Sequence, residues 1–109
     1  MKKLLCLLAA GLAGTVLLAP VRAVDAGSGL ALADKRGCLE CHAIGWTLVG
    51  PSFSSVAARY RQQTGAREML VDKVRFGGAQ HWGERFNMWP QTNLSDEEVY
   101  ELVDWVLEQ

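Results

Sequence analysis

The stretch Cys38-Leu39-Glu40-Cys41-His42 decides the fold of this chain. Its two thiols lie three positions apart, and an imidazole directly follows the second thiol. This spacing is what covalent haem attachment requires, because each thiol adds to one vinyl group while the adjacent imidazole lies under the iron. The motif therefore predicts a haem bound covalently through Cys38 and Cys41, with His42 as one axial ligand of the iron.

Three other interpretations of the motif are weaker. A thioredoxin-like redox pair follows a strand and opens a helix in a βαβ unit, and no such strand pattern exists here. A zinc knuckle needs a second pair of ligands, but His81 is the only other histidine in the sequence. A chance match is disfavoured because the N-terminus carries an export signal, and bacteria attach haem to this motif outside the cytoplasm.

The N-terminus has the parts of a secretory signal peptide. Met1-Lys2-Lys3 is positively charged, residues 4–19 are rich in leucine and alanine, and Pro20 ends any helix that they form. The alternative is an uncleaved membrane anchor, because the 18 residues 4–21 carry no charge and just reach the length of a membrane span. Two glycines, a threonine and a proline make this segment a poor span, so the sequence favours a cleaved signal peptide.

Cleavage divides the chain into two parts. We expect the cut after Ala23, with Ala26 as the second choice, so that residues 1–23 are the signal peptide and residues 24–109 form one monohaem domain in the periplasm. The whole chain has 109 residues with 11 basic and 12 acidic side chains, and the signal peptide carries three of the basic ones and Cys6. The remaining domain has 8 basic and 12 acidic side chains, a net charge of −4. This charge excludes a dedicated nucleic-acid binder, and the small size calls for a stabilising cofactor.

The iron has a sixth coordination position, for which the sequence offers Met69, His81 and Met88. Met69 falls on the inner side of a predicted helix and is expected to pack in the core. Met88 lies in a loop rich in helix breakers, 46 residues after His42, and can fold back over the opposite haem face. We therefore predict Met88 as the second axial ligand.

The rest of the sequence predicts an all-α fold. Apolar residues at helical spacing indicate four helices: one capped by Ser28 that runs to Lys35, one over residues 52–62, one over residues 66–76, and a last one that follows Ser95. The last helix has the clearest signal, because Ser95 and Glu98 form a capping box ahead of one apolar face.

Several segments together carry a family resemblance: Cys38 to His42, Val49-Gly50-Pro51, the helix from Gly65 to Phe76, Trp82-Gly83, Met88, and the C-terminal Ser95-Asp96-Glu97-Glu98 and Trp105-Val106-Leu107. Over nearly all of residues 29–109 the sequence is similar to the small bacterial class I cytochromes c, the c-551/c-552 group. The resemblance implies a class I cytochrome c fold, with four to five helices wrapped around one covalently bound haem c and its iron.

The resemblance also implies roles for residues around the haem. The axial ligands would be a histidine and a methionine, with the Pro51 carbonyl against the second nitrogen of that histidine. Trp82 would offer its indole N–H to a haem propionate, or simply pack in the core. Lys73 or Arg75 would lie nearby as a counter-charge.

Some positions depart from the family pattern. Trp89 stands in the methionine loop where a proline is typical, and the donor to the methionine sulfur stays open between Asn87 and Gln91. Trp46 replaces a polar residue, and it either docks a partner or folds onto its own loop. His81 either approaches a propionate or is a solvated turn residue.

Filled axial positions leave the iron no open site for a substrate, so we predict an electron carrier and not an enzyme. It would shuttle single electrons in the periplasm as a monomer, without a membrane span in the mature form and without nucleic acid. The expected partners are a nitrite reductase, a terminal oxidase, a peroxidase or an upstream cytochrome complex. The alternative is a haem sensor or a peroxidase-like enzyme with an open sixth position.

Overall fold

The computed structural model describes residues 14–20, 26–79 and 81–109, and in these parts the chain forms helices and no β-strand. The four α-helices are α1 (Ala26–Lys35), α2 (Phe53–Tyr60), α3 (Ala66–Phe76) and α4 (Asp96–Leu107). Two short 3₁₀ turns, Cys38–Glu40 and Glu84–Phe86, lie in the connections. The predicted all-α architecture is confirmed.

Most of the predicted signal peptide, with the expected cut after Ala23, lies outside the described residues. Residues 14–20 are described, and they have no regular secondary structure. Within the described ranges, none of the helices combines the length and the apolar composition that crossing a membrane requires.

The helix boundaries follow local capping chemistry. Helix α3 has the predicted bounds, whereas α1 begins two residues before Ser28, which therefore lies inside its first turn. Helix α2 is shorter than the predicted 52–62 at both ends. It ends at Tyr60, and Ser52 is its N-cap, whose hydroxyl accepts a hydrogen bond from the backbone N–H of Ser55 at 3.0 Å. The predicted capping box of α4 is present: the Ser95 hydroxyl accepts from the Glu98 N–H, and the Glu98 carboxylate accepts from the Ser95 N–H.

Helix α4 is the centre of the packing, since α1, α2 and α3 all contact it. Where α1 crosses α4, Gly29 lies directly against the ring of Trp105, and a Cβ on Gly29 would overlap that ring. Trp105 is 2% exposed and meets the ring of Phe53 edge to face, with the ring centroids 5.1 Å apart. Trp105 thus joins α4 to α1 through Gly29 and to α2 through Phe53.

The buried side chains form two clusters. One cluster lies between α2, α3 and α4 and contains Val56, Tyr60, Leu70, Val71, Val99 and Val103. The other lies between α1, the start of α2 and α4 and contains Ala33, Phe53, Leu102 and Trp105. Several members of both clusters also face a cavity between the helices.

Candidate functional site

A cavity of about 660 Å³ lies between the helices. This volume is within the range of roughly 300–1,000 Å³ that is typical of ligand and cofactor sites. Its walls are mainly apolar and include Phe53, Val56, Leu70, Val74, Leu102, Val103 and Val106. Cys38, Cys41, His42 and Met88 all line the same cavity, so the fold brings the four predicted haem-binding residues to one site.

The two cysteines lie on a tight turn at the edge of the cavity. Gly37 enters this turn with a left-handed φ of 78°, and the backbone N–H groups of Cys41 and His42 both donate to the Cys38 carbonyl, at 3.2 and 2.9 Å. Both thiols are free. Burial raises the pKa of the Cys38 thiol above its ordinary value. A redox-active cysteine is activated by a lowered pKa, so this environment disfavours a thioredoxin-like pair.

The imidazole of His42 is held on three sides. Its Nδ1 lies 2.7 Å from the Pro51 carbonyl oxygen, which accepts its hydrogen bond and leaves Nε2 for another partner. The ring of Phe53 stacks on it, with centroids 5.1 Å apart and an angle of 18° between the planes. Gly50 packs against the ring, since a Cβ there would lie 2.5 Å from His42 Cε1. A carbonyl on the far nitrogen is the usual support of a metal-bound histidine.

The contact of Gly50 with the imidazole was not predicted from the sequence. The Val49-Gly50-Pro51 segment gives a turn signal, but nothing in the sequence indicates which side chain the turn approaches. Gly50 also donates its backbone N–H to the Cys41 carbonyl at 2.7 Å. The turn is therefore fixed to the cysteine motif as well as to the histidine.

The loop that carries Met88 is fastened to the end of α3. Met88 and Gly78 exchange two backbone hydrogen bonds, at 2.8 and 3.3 Å, and the Gln91 N–H donates to the Val74 carbonyl at 2.9 Å. Gly77 has a φ of 68°, and a Cβ on it would overlap the Met88 carbonyl oxygen. The sequence predicts that Gly77 and Gly78 end the helix. In the structure the methionine loop also packs against them.

All three candidates for the sixth iron ligand line the cavity. Met69 is half-buried and packs against the cluster between α2, α3 and α4, as expected of a core residue. His81 has a left-handed φ of 73° and meets the Tyr60 ring edge to face at 6.2 Å. Met88 differs from both because its backbone is held in a loop by hydrogen bonds on its N–H and its carbonyl.

Trp82 is half-buried in the cavity wall. The guanidinium of Arg59 lies 4.8 Å from the centre of its ring, and the Tyr60 ring meets it edge to face at 6.3 Å. Trp82 therefore packs against both side chains, which is consistent with either predicted role of this residue.

The two cations predicted near a propionate are separated by the fold. Lys73 lines the cavity, and its ammonium donates to the Gly78 carbonyl at 2.8 Å. Burial lowers the pKa of Lys73 below its ordinary value. Arg75 is not among the residues that line the cavity, because its guanidinium pairs with Asp96 at 2.6 Å and lies over the ring of Tyr100. Lys73 is thus the better placed of the two.

Four other residues noted in the sequence lie at the edge of the cavity or of a smaller hollow beside His42. Trp46 is 65% exposed and borders a smaller hollow beside His42, together with Leu30, Leu39, Ala43, Ile44 and Leu48. Trp89 is 79% exposed. The side-chain amide of Gln91 donates to the Trp89 carbonyl at 2.9 Å, whereas Asn87 is an exposed residue of the cavity rim. Of the two predicted donors to the methionine sulfur, Gln91 therefore already has a backbone acceptor.

Comparisons with known proteins agree on one family. The family model described as Cytochrome c matches residues 25–109. The chain is 40% identical over 78 residues to cytochrome c-551 of Allochromatium vinosum, covering 72% of this chain and 82% of that protein. It is 34% identical over 107 residues to cytochrome c-552 of Hydrogenobacter thermophilus, covering 98% and 97%. The crystal structure of wild-type Nitrosomonas europaea cytochrome c552 superposes with a TM-score of 0.68 at 34% identity, covering 72% of this chain and 96% of that one.

Proposed function

The chain belongs to the cytochrome c family, and from this we propose that it carries single electrons in the periplasm through a haem iron ligated by His42 and Met88. Members of the family transfer electrons through one covalently attached haem c, and Cys38 and Cys41 fit its attachment motif. The observation that carries the proposal is that both cysteines, His42 and Met88 line the same apolar cavity.

The residues around the cavity fit this cofactor. The two free thiols provide the covalent bonds, and the hydrogen bond from His42 to Pro51 leaves Nε2 for the iron. Bound haem supplies an iron that alternates between the ferric and ferrous states. A thioether ligand from Met88 and the apolar walls both favour the ferrous state, because they do not stabilise the extra positive charge of the ferric centre. We expect a comparatively high reduction potential.

Filled axial positions make a carrier the best-supported function. A substrate such as peroxide or nitrite needs an open coordination position, and a firmly held methionine closes it. The hydrogen bonds between Met88 and Gly78 support such a hold. A haem sensor or a peroxidase-like enzyme would instead require that Met88 is absent from the iron or leaves it readily.

We propose that redox proteins dock on the apolar rim beside His42. The rim consists of exposed or partly exposed side chains, namely Leu30, Ile44, Trp46, Leu48 and Val49. Residues 43–58 contain no charged side chain, so docking there should depend on apolar contact and change little with salt. A small interface of this kind suits brief encounters with a nitrite reductase, a terminal oxidase, a peroxidase or an upstream cytochrome complex. Trp46→Ser should slow electron exchange with the true partner at every salt concentration and leave the reduction potential unchanged.

The optical spectrum of the purified haem protein tests the ligation. We expect a weak long-wavelength iron–sulfur band in the ferric state, which Met88→Ala should abolish while lowering the reduction potential by a large margin. Met69→Leu is the matched control, because Met69 lines the same cavity but should keep the band. A high-spin ferric wild type that readily binds carbon monoxide would contradict the carrier and support the sensor or peroxidase alternative. Loss of the band in Met69→Leu alone would reassign the ligand.

Two further measurements test attachment and processing. Cys38→Ala or Cys41→Ala should weaken the retention of haem under denaturing conditions, and a wholly unaffected pigment would contradict covalent attachment. N-terminal sequencing of the exported protein should find Val24 as the first residue if residues 1–23 are a signal peptide and residues 24–109 the haem domain. A protein that keeps the leader would favour a membrane anchor.

A further inference from the structure

Lys73 has a structural partner that its expected role near a propionate does not explain. It lies in the last turn of α3, and its ammonium donates to the carbonyls of Gly78 at 2.8 Å and Gly77 at 3.5 Å. The last carbonyls of a helix and those just beyond it lack intrahelical donors, and a lysine near the C-terminus can satisfy them. Lys73 therefore closes the end of α3 from the cavity side.

The carbonyl that Lys73 contacts also belongs to the methionine loop. The Gly78 oxygen accepts a second hydrogen bond from the backbone N–H of Met88 at 3.3 Å, and the Gly78 N–H donates to the Met88 carbonyl at 2.8 Å. Lys73, Gly78 and Met88 thus form one continuous hydrogen-bonded chain. Hydrogen bonds from an ionised donor are stronger than neutral ones, so the ammonium is the strongest donor in this chain.

The two glycines that connect α3 to the methionine loop do not by themselves fix the direction of that loop. Gly77 and Gly78 have φ values of 68° and 101°, a region that glycine enters freely and also leaves freely. Without a side chain on either residue, the direction of the loop depends on backbone hydrogen bonds and on side chains from elsewhere. Lys73 is half-buried, so its stem packs against the protein while its ammonium reaches the Gly78 carbonyl.

We propose that Lys73 is a positioning residue for Met88: its ammonium holds the Gly78 carbonyl, and this holds the methionine loop against α3 so that the sulfur stays on the iron. The proposal deepens the proposed function and rests on it, because it requires Met88 as an iron ligand. It differs from a counter-charge to a propionate, which would act on the cofactor and not on the loop.

The test is the rate at which imidazole displaces the methionine in the ferric haem protein. In Lys73→Met the side chain keeps its apolar stem and loses the ammonium, and we expect displacement to be faster by about 10-fold or more, as expected for one lost charge-assisted hydrogen bond. The iron–sulfur band should persist at neutral pH without imidazole. Arg75→Met is the matched control: it removes a positive charge from the same helical turn, outside the cavity lining, and should change the rate by less than about twofold.

The outcomes separate this proposal from the proposed function. A wild type without the iron–sulfur band overturns both. A normal band with an unchanged displacement rate in Lys73→Met overturns the positioning role alone, and a shifted pH dependence of the reduction potential in that variant would then indicate contact with a propionate. If Lys73→Met does not fold, Lys73→Gln gives the same comparison, and a wild-type displacement rate in that variant would equally refute the proposal.

Discussion

Gly50→Ala is the sharpest single perturbation of the candidate haem site. The new Cβ would lie 2.5 Å from Cε1, 2.9 Å from Nδ1 and 3.0 Å from Nε2 of His42, whereas ordinary contacts are 3.4–4 Å. Gly50 is not among the glycines with positive φ, so alanine is compatible with its backbone and the effect is purely steric. To accept the methyl group, the imidazole or the turn must move by about 1 Å.

The magnitude follows from what holds the imidazole. A movement of this size lengthens the 2.7 Å hydrogen bond to Pro51 and disturbs the stacking on Phe53. Overpacking a tight site costs about 1–3 kcal/mol, and a lost hydrogen bond adds about 1 kcal/mol. The lower conformational entropy of the unfolded Gly50→Ala protein offsets about 0.4–1 kcal/mol of this loss of stability. We therefore expect the free energy of unfolding of the haem protein to fall by about 1–3 kcal/mol.

Denaturant unfolding of the haem-loaded protein measures this difference. Gly45→Ala is the matched control, because Gly45 lies in the same connection and a Cβ there meets no atom within 4 Å. That variant should stay within about 0.5 kcal/mol of the wild type. If Gly50→Ala were as stable as Gly45→Ala, with an unchanged spectrum, the close packing of Gly50 on the imidazole would be refuted.

Other predictions concern α4. Gly29→Ala should lower the free energy of unfolding by about 1–3 kcal/mol, because the methyl group overlaps the buried Trp105 ring; an unaffected denaturation midpoint would contradict the close crossing of α1 and α4. Ser95→Ala should cost about 1 kcal/mol through the lost capping bond, as read from thermal or denaturant unfolding. Arg36 lies 2.6 Å from Glu98 and holds the pKa of that carboxyl below its usual 4.5. The stabilising effect of the ionised Glu98 is therefore present above about pH 4.5, and it is lost as the pH falls through the lowered pKa. In Glu98→Gln the acid loss of stability should be shallower than in the wild type, and an identical profile would refute the linkage.

The parts of the fold that the sequence predicted well depend on local signals. The bounds of α3 were predicted because apolar spacing ends at two glycines, and the start of α4 because a capping box occupies the four residues from Ser95 to Glu98. The errors at α1 and α2 were also local: Ser28 lies inside its helix, and Ser52 caps a helix that ends at Tyr60. Serine is compatible with either position, so the sequence alone does not separate them.

Less of the candidate site than of the fold could be predicted from the sequence. The cysteine motif has a fixed spacing, and so its residues were identified directly from the sequence. The packing of Gly50 on the imidazole and the bond from Lys73 to Gly78 were missed, since contacts through space leave no periodic pattern. The choice between Lys73 and Arg75 was likewise open, because both lie near the end of one helix and only the packing of α3 on α4 separates them.

The crossing of α1 and α4 has a consequence for biosynthesis. Gly29 and Trp105 are 76 positions apart in the chain, so their contact cannot form until the last helix has been synthesised. Contacts of such long range form late, because the intervening chain must first lose its freedom. Cys38 and Cys41 lie between these two positions in the sequence, so both thiols are synthesised before the contact between α1 and α4 can form. The order in which the helices are synthesised therefore leaves the cysteine motif outside a closed core until α4 is complete.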